Sequence, residues 1–380
     1  MTDDRSSIEL KNLAILNHLR HHNIVELLSS YKYGGRYNLI FPLADGGDLA
    51  DLLTTEREQT RFQSDRSLLV ALAGLASAIE HVHDFVDEKL ELQLTGCHND
   101  FRPRNILVSG QDLLLADFGL SHFKDIEAIS GSKAMFKQGT DCYLAPECED
   151  LVNFEKFKVG RASDIWSFGC ILAELLVYMA YGPLGVKQFK ERRAFKRGYM
   201  IYAYFHCGFQ PNPGVEEWLN KLTDDESWRT SNLVSLIKRM LSLSEESRPK
   251  AREVTLILRV IVISEVSHSI DNLFERLDGK EESLEVFLQL QRFKAWKYGI
   301  GIIDLHGEPT VDKLVELGNK TFESILQLLT EMEDCLRSIS FSQGEGMFST
   351  MGLSPPDYIR AIKDDLAWES APSPKGLIYS

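Results

Sequence analysis

The feature that most constrains the fold of this chain is a short polar segment, Cys97–Leu107, followed closely by a second one, Ala116–Gly119. Together they bring two carboxylates and one amide close together along the chain, at Asp100, Asn105 and Asp117. Phosphoryl transfer to a hydroxyl requires a carboxylate that orients the hydroxyl and accepts its proton, and oxygen ligands that hold Mg²⁺ against the phosphates. The spacing predicts a site for this chemistry, with Asp100 in the first role.

This arrangement resembles the catalytic loop of protein kinases, H-R-D-x-K-x-x-N, and the D-F-G motif that follows it. His98, Asp100 and Asn105 fall on the family positions, whereas Asn99 replaces the arginine and Arg102 replaces the lysine. The resemblance implies that Arg102 keeps a cation near the transferred phosphate, although an arginine fork is not equivalent to a lysine point charge. The family arginine commonly binds a phosphorylated activation loop, so Asn99 argues against that form of control.

Turn-forming residues alone would also explain the two motifs, because Asn, Asp and Gly are common in turns. The order of further landmarks argues against this alternative, since kinase sequences continue with the same series: Gly139–Glu147, Ser163–Gly169 and Ser247–Pro249. The resemblance thus implies an α+β, protein-kinase-like fold with a mostly helical C-lobe. It also implies ATP and Mg²⁺ as cofactors and a protein as substrate.

The same resemblance implies roles for individual residues. Asn105 and Asp117 would hold the metal ion, and Asp117 also belongs to the nucleotide site. In the family, the Ala-Pro-Glu glutamate pairs with a late arginine, and the aspartate of Ser-Asp-Ile-Trp holds the catalytic-loop backbone. A threonine ahead of Ala-Pro-Glu packs near the catalytic aspartate in kinases that modify serine or threonine, which favours that specificity. The implied structural residues are His98, Thr140, Glu147, Asp164 and Arg248.

An alternating segment, Tyr37–Phe41, predicts a strand that ends at a Gly-rich stretch. By resemblance, this stretch is the hinge between the two kinase lobes. The carbonyl of Pro42 and the amide of Ala44 would then meet the adenine edge, Asp48 would reach the ribose, and Leu107 would form part of the apolar floor. From composition alone, the residues indicate only a strand followed by a loop.

Upstream of the hinge, apolar residues at helical spacing between 13 and 19 and the run Asn23–Leu28 predict a helix followed by a strand. Kinases carry a glycine-rich loop and a lysine-bearing strand before this helix, and residues 1–10 contain neither. Asn12 stands where the family has the glutamate that binds that lysine, and Glu9 lies one turn earlier. The sequence therefore predicts a truncated N-lobe.

Two interpretations of this N-lobe remain open. The chain is either an incomplete product of an ordinary kinase or a pseudokinase that has lost the upper lobe and acts as a partner-binding scaffold or regulator. The presence of Asp100, Asn105 and Asp117 favours the first, because a chain released from catalysis has no chemical reason to keep all three. The expected function is a serine/threonine kinase that transfers the γ-phosphoryl group of ATP to a protein hydroxyl, with the pseudokinase as the alternative.

Composition and charge limit the partners and the compartment. A net charge of −14 argues against nucleic acid as the main partner, because such binding depends on Lys and Arg contacts to phosphates. The apolar stretches Ile165–Tyr181 and Val254–Val266 contain charges and are short for a membrane span. The first residues lack the pattern of a secretory signal, and the six cysteines show no metal-ligand spacing. These features predict a cytoplasmic or nuclear protein without a membrane span.

Four segments are predicted along the chain. Residues 1–44 form the truncated N-lobe and hinge, 45–267 the C-lobe, 268–339 a helical tail and 340–380 a poorly ordered C-terminus. Within the tail, Leu290–Ile302 resembles the R-F-x-x-W-x-x-x-x-G segment of fungal HeLo-type domains, which implies a fungal source and a regulatory tail that contacts a partner. A plain amphipathic helix with core aromatic residues is the alternative.

Overall fold

The chain divides into two compact units, residues 1–258 and 259–380. The sequence pattern placed the start of the tail later, at residue 268. The computed structural model describes residues 12, 15, 20–34, 36–87, 92–125, 134–135, 142–148, 158–197, 199–223, 227–277, 291, 293–297 and 319–341.

Small antiparallel sheets accompany the helices of the first unit. Their pairings are β1 with β2, β5 with β6, β8 with β9, β10 with β11, and a three-stranded sheet in the order β3, β4, β7. The strands are β1 (Ser29–Tyr33), β2 (Arg36–Ile40), β3 (Phe85–Asp87), β4 (Leu92–Cys97), β5 (Ile106–Ser109), β6 (Asp112–Leu115), β7 (His122–Asp125), β8 (Ala134–Met135), β9 (Lys158–Val159), β10 (Phe195–Arg197) and β11 (Met200–Tyr202).

The strand predicted at Asn23–Leu28 is absent from that described segment, and the first strand begins at Ser29. Ile24 forms only an isolated parallel bridge with Leu115. The Leu115 amide donates to the carbonyl of Asn23 at 2.8 Å. The buried side chain of Asn23 donates to the Leu113 carbonyl at 3.1 Å.

Helices form the core of the first unit and most of the described part of the second. Helix α6 begins in the first unit and ends in the second. The helices are α1 (Leu49–Leu52), α2 (Asp65–His83), α3 (Arg161–Arg192), α4 (Pro213–Thr223), α5 (Trp228–Met240), α6 (Ala251–Leu277) and α7 (Asn319–Phe341).

Local sequence explains where the long helices begin and bend. Ser64 caps α2, because its hydroxyl accepts from the Ser67 amide at 3.1 Å and the Ser67 side chain bonds back to the cap. Helix α3 breaks at Gly182, whose φ of 64° is accessible to glycine, and continues from Pro183. The helix before this break is buried almost on every side, which is typical of a core helix.

Helix α3 is also the one helix in the described part of the chain that is long and apolar enough to cross a membrane. In its most apolar stretch, 61% of the residues are buried inside the protein. A core helix meets the same criteria of length and composition, so this finding carries no argument for a span.

The described part of the second unit packs around aromatic side chains. Phe293 and Trp296 stack with ring centroids 5.6 Å apart, and both are buried. Phe274 lies 6.3 Å from Phe293, and the Arg259 guanidinium lies 5.4 Å from the Phe322 ring. Phe293 and Trp296 of the predicted HeLo-like segment therefore lie in a core, whereas Tyr298 of that segment and the predicted poorly ordered terminus beyond residue 341 lie outside the described residues.

Candidate active site

The catalytic-loop segment is held by one carboxylate at the start of α3. Asp164 is 1% exposed and accepts from the amides of His98 at 2.7 Å and Asn99 at 2.8 Å. The ring Nε2 of His83 lies 3.0 Å from the same carboxylate. A buried carboxylate is stable when several donors and a helix N-terminus face it. The backbone around Asp100 is thereby fixed to the core helix.

The conformation and contacts of Asn99 account for an asparagine at the position where the family motif has an arginine. Its backbone is left-handed, with a φ of 64°, and asparagine tolerates this conformation better than most residues. The side-chain amide donates to the carbonyl of Leu120 at 3.1 Å. Asn99 therefore joins the catalytic loop to the segment that follows Asp117, a role that the motif comparison did not reveal.

His98 makes a second connection between the same two segments. The imidazole is fully buried, and its Nε2 lies 2.9 Å from the carbonyl of Ala116. Its ring packs edge-on against Phe118 at a centroid distance of 4.9 Å. His98 thus contacts Ala116 and Phe118, the two chain neighbours of Asp117.

Asp100, Arg102 and Asn105 form one polar cluster. The Asn105 side-chain amide donates to the Asp100 backbone carbonyl at 2.8 Å and to its carboxylate Oδ2 at 2.9 Å. Arg102 Nε lies 3.3 Å from Asp100 Oδ1. The Asp100 side chain is 14% exposed and that of Arg102 is 32% exposed. The carboxylate is therefore held from both sides while still open to a substrate.

Asp117 lies beside this cluster because β5 and β6 form a hairpin. This hairpin brings the end of the catalytic loop and the segment Ala116–Gly119 together. Ile106 pairs with Leu115, and the Ala116 amide donates to the Asn105 carbonyl at 2.9 Å. Asp117 has a left-handed backbone with φ 58°, and its Oδ1 accepts from the Gly119 amide at 3.2 Å. Asn105 and Asp117 consequently lie at the same end of one hairpin.

The donor set of this cluster fits Mg²⁺. Since the Asn105 amide nitrogen donates to Asp100, its amide oxygen is the atom that can bind a cation. One amide oxygen and one carboxylate suit Mg²⁺, which keeps water and phosphate oxygens as its other ligands. Within the described residues, no three His, Cys, Asp or Glu side chains converge as a self-contained metal site.

The predicted hinge runs from β2 to α1 and is tied to β5. The Gly46 amide donates to the Val108 carbonyl at 3.0 Å, and the Val108 amide donates to the Gly47 carbonyl at 2.9 Å. A Cβ atom on Gly46 would lie 2.5 Å from Val108 Cγ1, so this approach requires glycine. The backbones of Asp48 and Leu107 form an isolated antiparallel β-bridge, which brings two residues of the predicted nucleotide site together.

The other hinge residues differ in exposure. Pro42 is exposed and Ala44 is half-buried. Leu43 between them is 90% exposed. One carboxylate oxygen of Asp48 accepts from the Asp51 amide at 3.0 Å and caps α1, so only its second oxygen is available to a ligand.

Asn12, at the position of the family's lysine-binding glutamate, contacts the segment around Asp117. Its side chain is buried and donates to the carbonyls of Phe118 at 2.8 Å and Ser121 at 2.9 Å. An amide that donates in this way orders the neighbouring backbone. It cannot replace the charge of a carboxylate opposite a lysine.

Glu147 and Arg248, predicted from the family to pair, lie against each other in bidentate geometry. The guanidinium donates to Glu147 Oε1 at 2.6 Å and Oε2 at 2.8 Å. It also donates to the carbonyls of Ala162 and Ser242, and it lies 5.1 Å from the Trp166 ring. The arginine side chain is completely buried, so each of these acceptors compensates for its desolvation.

A second buried cluster, which the sequence did not indicate, holds the chain at Tyr143, four residues before Glu147. Tyr143 donates its hydroxyl to Glu174 Oε2 at 2.6 Å, and Arg193 donates to Oε1 of the same carboxylate. The Arg193 guanidinium lies 4.0 Å from the Phe205 ring. Burial and the charge of Glu174 raise the pKa of Tyr143 well above its usual value, so the phenol stays protonated and donates.

The structure thus brings together most, though not all, of the predicted site residues. Thr140, predicted to pack near Asp100, lies outside the described residues. The segment that follows it, from Cys142 to Cys148, is described and is anchored at both ends by the two buried clusters.

Three relatives show how far the similarity extends. Serine/threonine-protein kinase Nek2 of Homo sapiens is 26% identical over 182 residues, which cover 47% of this chain and 38% of the relative. Serine/threonine-protein kinase Nek8 of Danio rerio is 30% identical over 178 residues, covering 46% and 22%. Human mitogen-activated protein kinase kinase kinase 5 is 27% identical over 279 residues, covering 68% and 19%. The matched part of the chain spans less than two fifths of each relative.

The family comparison covers most of the first unit. A model described as the protein kinase domain matches residues 2–256, well over half of the chain. The match includes every predicted catalytic and structural residue, and the fold around them is a helical C-lobe with small sheets. The chain therefore belongs to the protein kinase family.

Proposed function

We propose that this protein is an ATP- and Mg²⁺-dependent serine/threonine kinase that phosphorylates a protein hydroxyl. The observation that carries the proposal is the cluster of Asp100, Arg102 and Asn105 at the hairpin end from which Asp117 emerges. A carboxylate, a cation and two oxygen ligands for a metal are the groups that phosphoryl transfer requires.

Each side chain has a distinct role in this proposal. Asp100 orients the attacking hydroxyl and accepts its proton, because its carboxylate is held in place and still reaches solvent. Arg102 faces the transferred phosphate and offsets its charge. Asn105 and Asp117 would hold Mg²⁺, which would stabilise the charge on the phosphates while ATP donates its γ-phosphoryl group.

The hinge residues complete the nucleotide site. The carbonyl of Pro42 and the amide of Ala44 face the adenine edge, and Leu107 forms part of the apolar floor. The free oxygen of Asp48 accepts from a ribose hydroxyl. The bridge between Asp48 and Leu107 supports this arrangement, since it places a polar and an apolar contact side by side.

Serine/threonine specificity rests on two observations. Nek2 and Nek8 are named serine/threonine-protein kinases, and a threonine, Thr140, stands ahead of the Ala-Pro-Glu motif. A test on peptides that carry serine, threonine or tyrosine at one position measures this specificity directly.

The variant Asp100→Asn tests the catalytic role. The amide keeps the shape and can still accept from Asn105, but it cannot accept the substrate proton. We expect the rate of transfer from labelled ATP to casein to fall by about 10²–10⁴-fold. Glu275→Gln, an exposed carboxylate on α6 that is not among the residues of the candidate site, is the matched control and should transfer at the unchanged rate. Equal rates for wild type and Asp100→Asn would contradict the proposal.

The observation at Asn12 favours a second candidate, a catalytically inactive regulator of the same fold. A neutral amide stands where the family has a glutamate, and it is already used by two backbone carbonyls. Thermal unfolding with and without ATP and Mg²⁺ separates the candidates, because a nucleotide that binds the folded state raises the midpoint. No shift and no transfer would contradict the kinase proposal and leave the inactive regulator as the candidate.

A further inference from the structure

The turn that follows Asp117 is held at both ends by one side chain from a distant part of the chain, Asn12. The Asn12 residue is 5% exposed, and its amide nitrogen donates to the carbonyl of Phe118 at 2.8 Å and to that of Ser121 at 2.9 Å. Phe118 and Ser121 are the two ends of the turn, which the Ser121 amide closes on the Phe118 carbonyl at 3.2 Å. Since a side-chain amide nitrogen carries two hydrogens, Asn12 uses both of them on this turn.

The same turn orients the carboxylate of Asp117. The Gly119 amide, in the middle of the turn, donates to Asp117 Oδ1 at 3.2 Å. The backbone of Asp117 is left-handed, with a φ of 58°, and such a conformation persists only where surrounding contacts hold it. Because the Gly119 amide meets Oδ1 only while the turn keeps its shape, the contacts that fix the turn also fix this carboxylate.

The catalytic loop supplies two other contacts to the turn, and neither replaces those of Asn12. The Asn99 amide donates to the carbonyl of Leu120 at 3.1 Å. The Ser121 hydroxyl donates to the carbonyl of His98 at 3.2 Å. Loss of the Asn12 amide would therefore remove a donor from a buried carbonyl at each end of the turn, which destabilises this arrangement of the backbone.

We propose that Asn12 is a positioning residue for Asp117, because its two hydrogen bonds keep the turn in the shape that orients the carboxylate toward the metal ion. This role rests on the proposed function, in which Asp117 holds Mg²⁺. Removing a group that orients a metal ligand typically weakens metal binding by about 10–100-fold. At the position of the family's glutamate, this chain thus acts through neutral hydrogen bonds to the backbone.

Matched substitutions of two asparagines test this role. Asn12→Asp replaces the amide with a carboxylate, which has no N–H to donate. Asn212→Asp is the control, because Asn212 is also buried and its amide also donates to two carbonyls, those of Arg193 and Tyr204, both at 2.8 Å. These carbonyls belong neither to the turn nor to the candidate active site. Both variants lose the same kind of bond, so a general loss of stability would be common to both.

Two measurements separate positioning from stability. Electron paramagnetic resonance of Mn²⁺, a substitute for Mg²⁺, measures the affinity of the metal site in the presence of a nonhydrolysable ATP analogue and requires no phosphoryl transfer. We expect Asn12→Asp to weaken Mn²⁺ binding by about 10–100-fold and Asn212→Asp to leave it unchanged. In the ligand-free protein, hydrogen exchange at Phe118–Ser121, measured by mass spectrometry, should be at least about tenfold faster in Asn12→Asp alone.

The outcomes distinguish this role from the proposed function. Equal Mn²⁺ affinity of wild type and Asn12→Asp, equal exchange at Phe118–Ser121, or equal weakening by Asn212→Asp would overturn the role of Asn12 and leave the proposed function intact. A wild type that binds no Mn²⁺ would contradict the proposed function, and the role of Asn12 with it. Circular dichroism first establishes that the variants are folded, and Asn12→Ala with Asn212→Ala gives the same comparison if either aspartate variant is not.

Discussion

At the scale of single residues, backbone strain is concentrated in the candidate site. In the described part of the chain, the non-glycine residues with positive φ are Asn99 and Asp117. Each costs roughly 1–2 kcal/mol relative to an extended or right-handed backbone. Three donors on Asp164 and the contacts of His98 offset this cost. The left-handed backbone at Asn99, directly before Asp100, and at Asp117 itself thus sets the orientation of both carboxylates.

Substitutions at Asn99 should follow from this conformation. Asn99→Gly keeps the left-handed backbone and loses only the bond to Leu120, so we expect a decrease of about 1 kcal/mol in the free energy of unfolding. Asn99→Val loses the same bond and adds a strained β-branched residue, for a decrease of about 2–3 kcal/mol. Urea unfolding monitored by fluorescence measures both. Equal stability of the two variants would contradict a left-handed Asn99.

The resemblance to the family predicted one pair of motif residues, but it could not predict contacts that depend on the folded chain. The pairing of Glu147 with Arg248 was predicted because the family carries both residues, and the two side chains are hydrogen-bonded in the structure. Arg193 stands in a sequence stretch rich in Lys and Arg, 187–197, which predicts a solvated face, yet it is buried against Glu174. Charge alone indicates an exposed face, and only the packing of Phe189 and Phe205 around the guanidinium shows otherwise.

At the scale of elements, α3 connects the parts of the site. Its first turn supplies Asp164, its second turn supplies Trp166, and its middle supplies Glu174. The sequence predicted a buried apolar helix here from the composition of Ile165–Tyr181. It did not predict that the helix would resume after a break at Gly182, because a glycine next to a proline usually ends a helix.

Substitutions at Gly182 test the break in helix α3. No atom lies within 4 Å of a Cβ placed on Gly182, so any loss of stability comes from the backbone alone. We expect Gly182→Ala to lower the free energy of unfolding by about 1 kcal/mol and Gly182→Asn to cost less, since asparagine tolerates positive φ. Urea titrations of the two variants make the comparison. A more stable Gly182→Ala would show that the helix is continuous in solution.

At the scale of the whole molecule, the boundary between the two units lies inside α6. The kinase-domain match ends at residue 256, and the first unit ends at 258. The sequence predicted the boundary at 267, because the features that resemble a kinase end there and a helical pattern follows. A continuous helix gives no change in periodicity where one core ends and the next begins.

The cysteines test the packing of the first unit as a whole. Cys97, Cys142, Cys148, Cys170 and Cys207 are free thiols. Burial raises the pKa of Cys148 and Cys170, which leaves them protonated and unreactive. We expect iodoacetamide to label the half-exposed Cys142 first, as measured by peptide mass spectrometry, and all six cysteines of the chain after denaturation. Equal labelling of Cys170 and Cys142 in the native protein would contradict this packing.

The bond between Glu147 and Arg248 also has a consequence for synthesis, because 101 positions separate its partners. Ribosomes add about 5–20 residues per second, so the arginine follows the glutamate by about 5–20 s. During that interval the nascent chain exposes Trp166 and a carboxylate that lacks its partner. The ion pair that anchors the segment Cys142–Cys148 therefore forms only near the end of translation of the kinase domain.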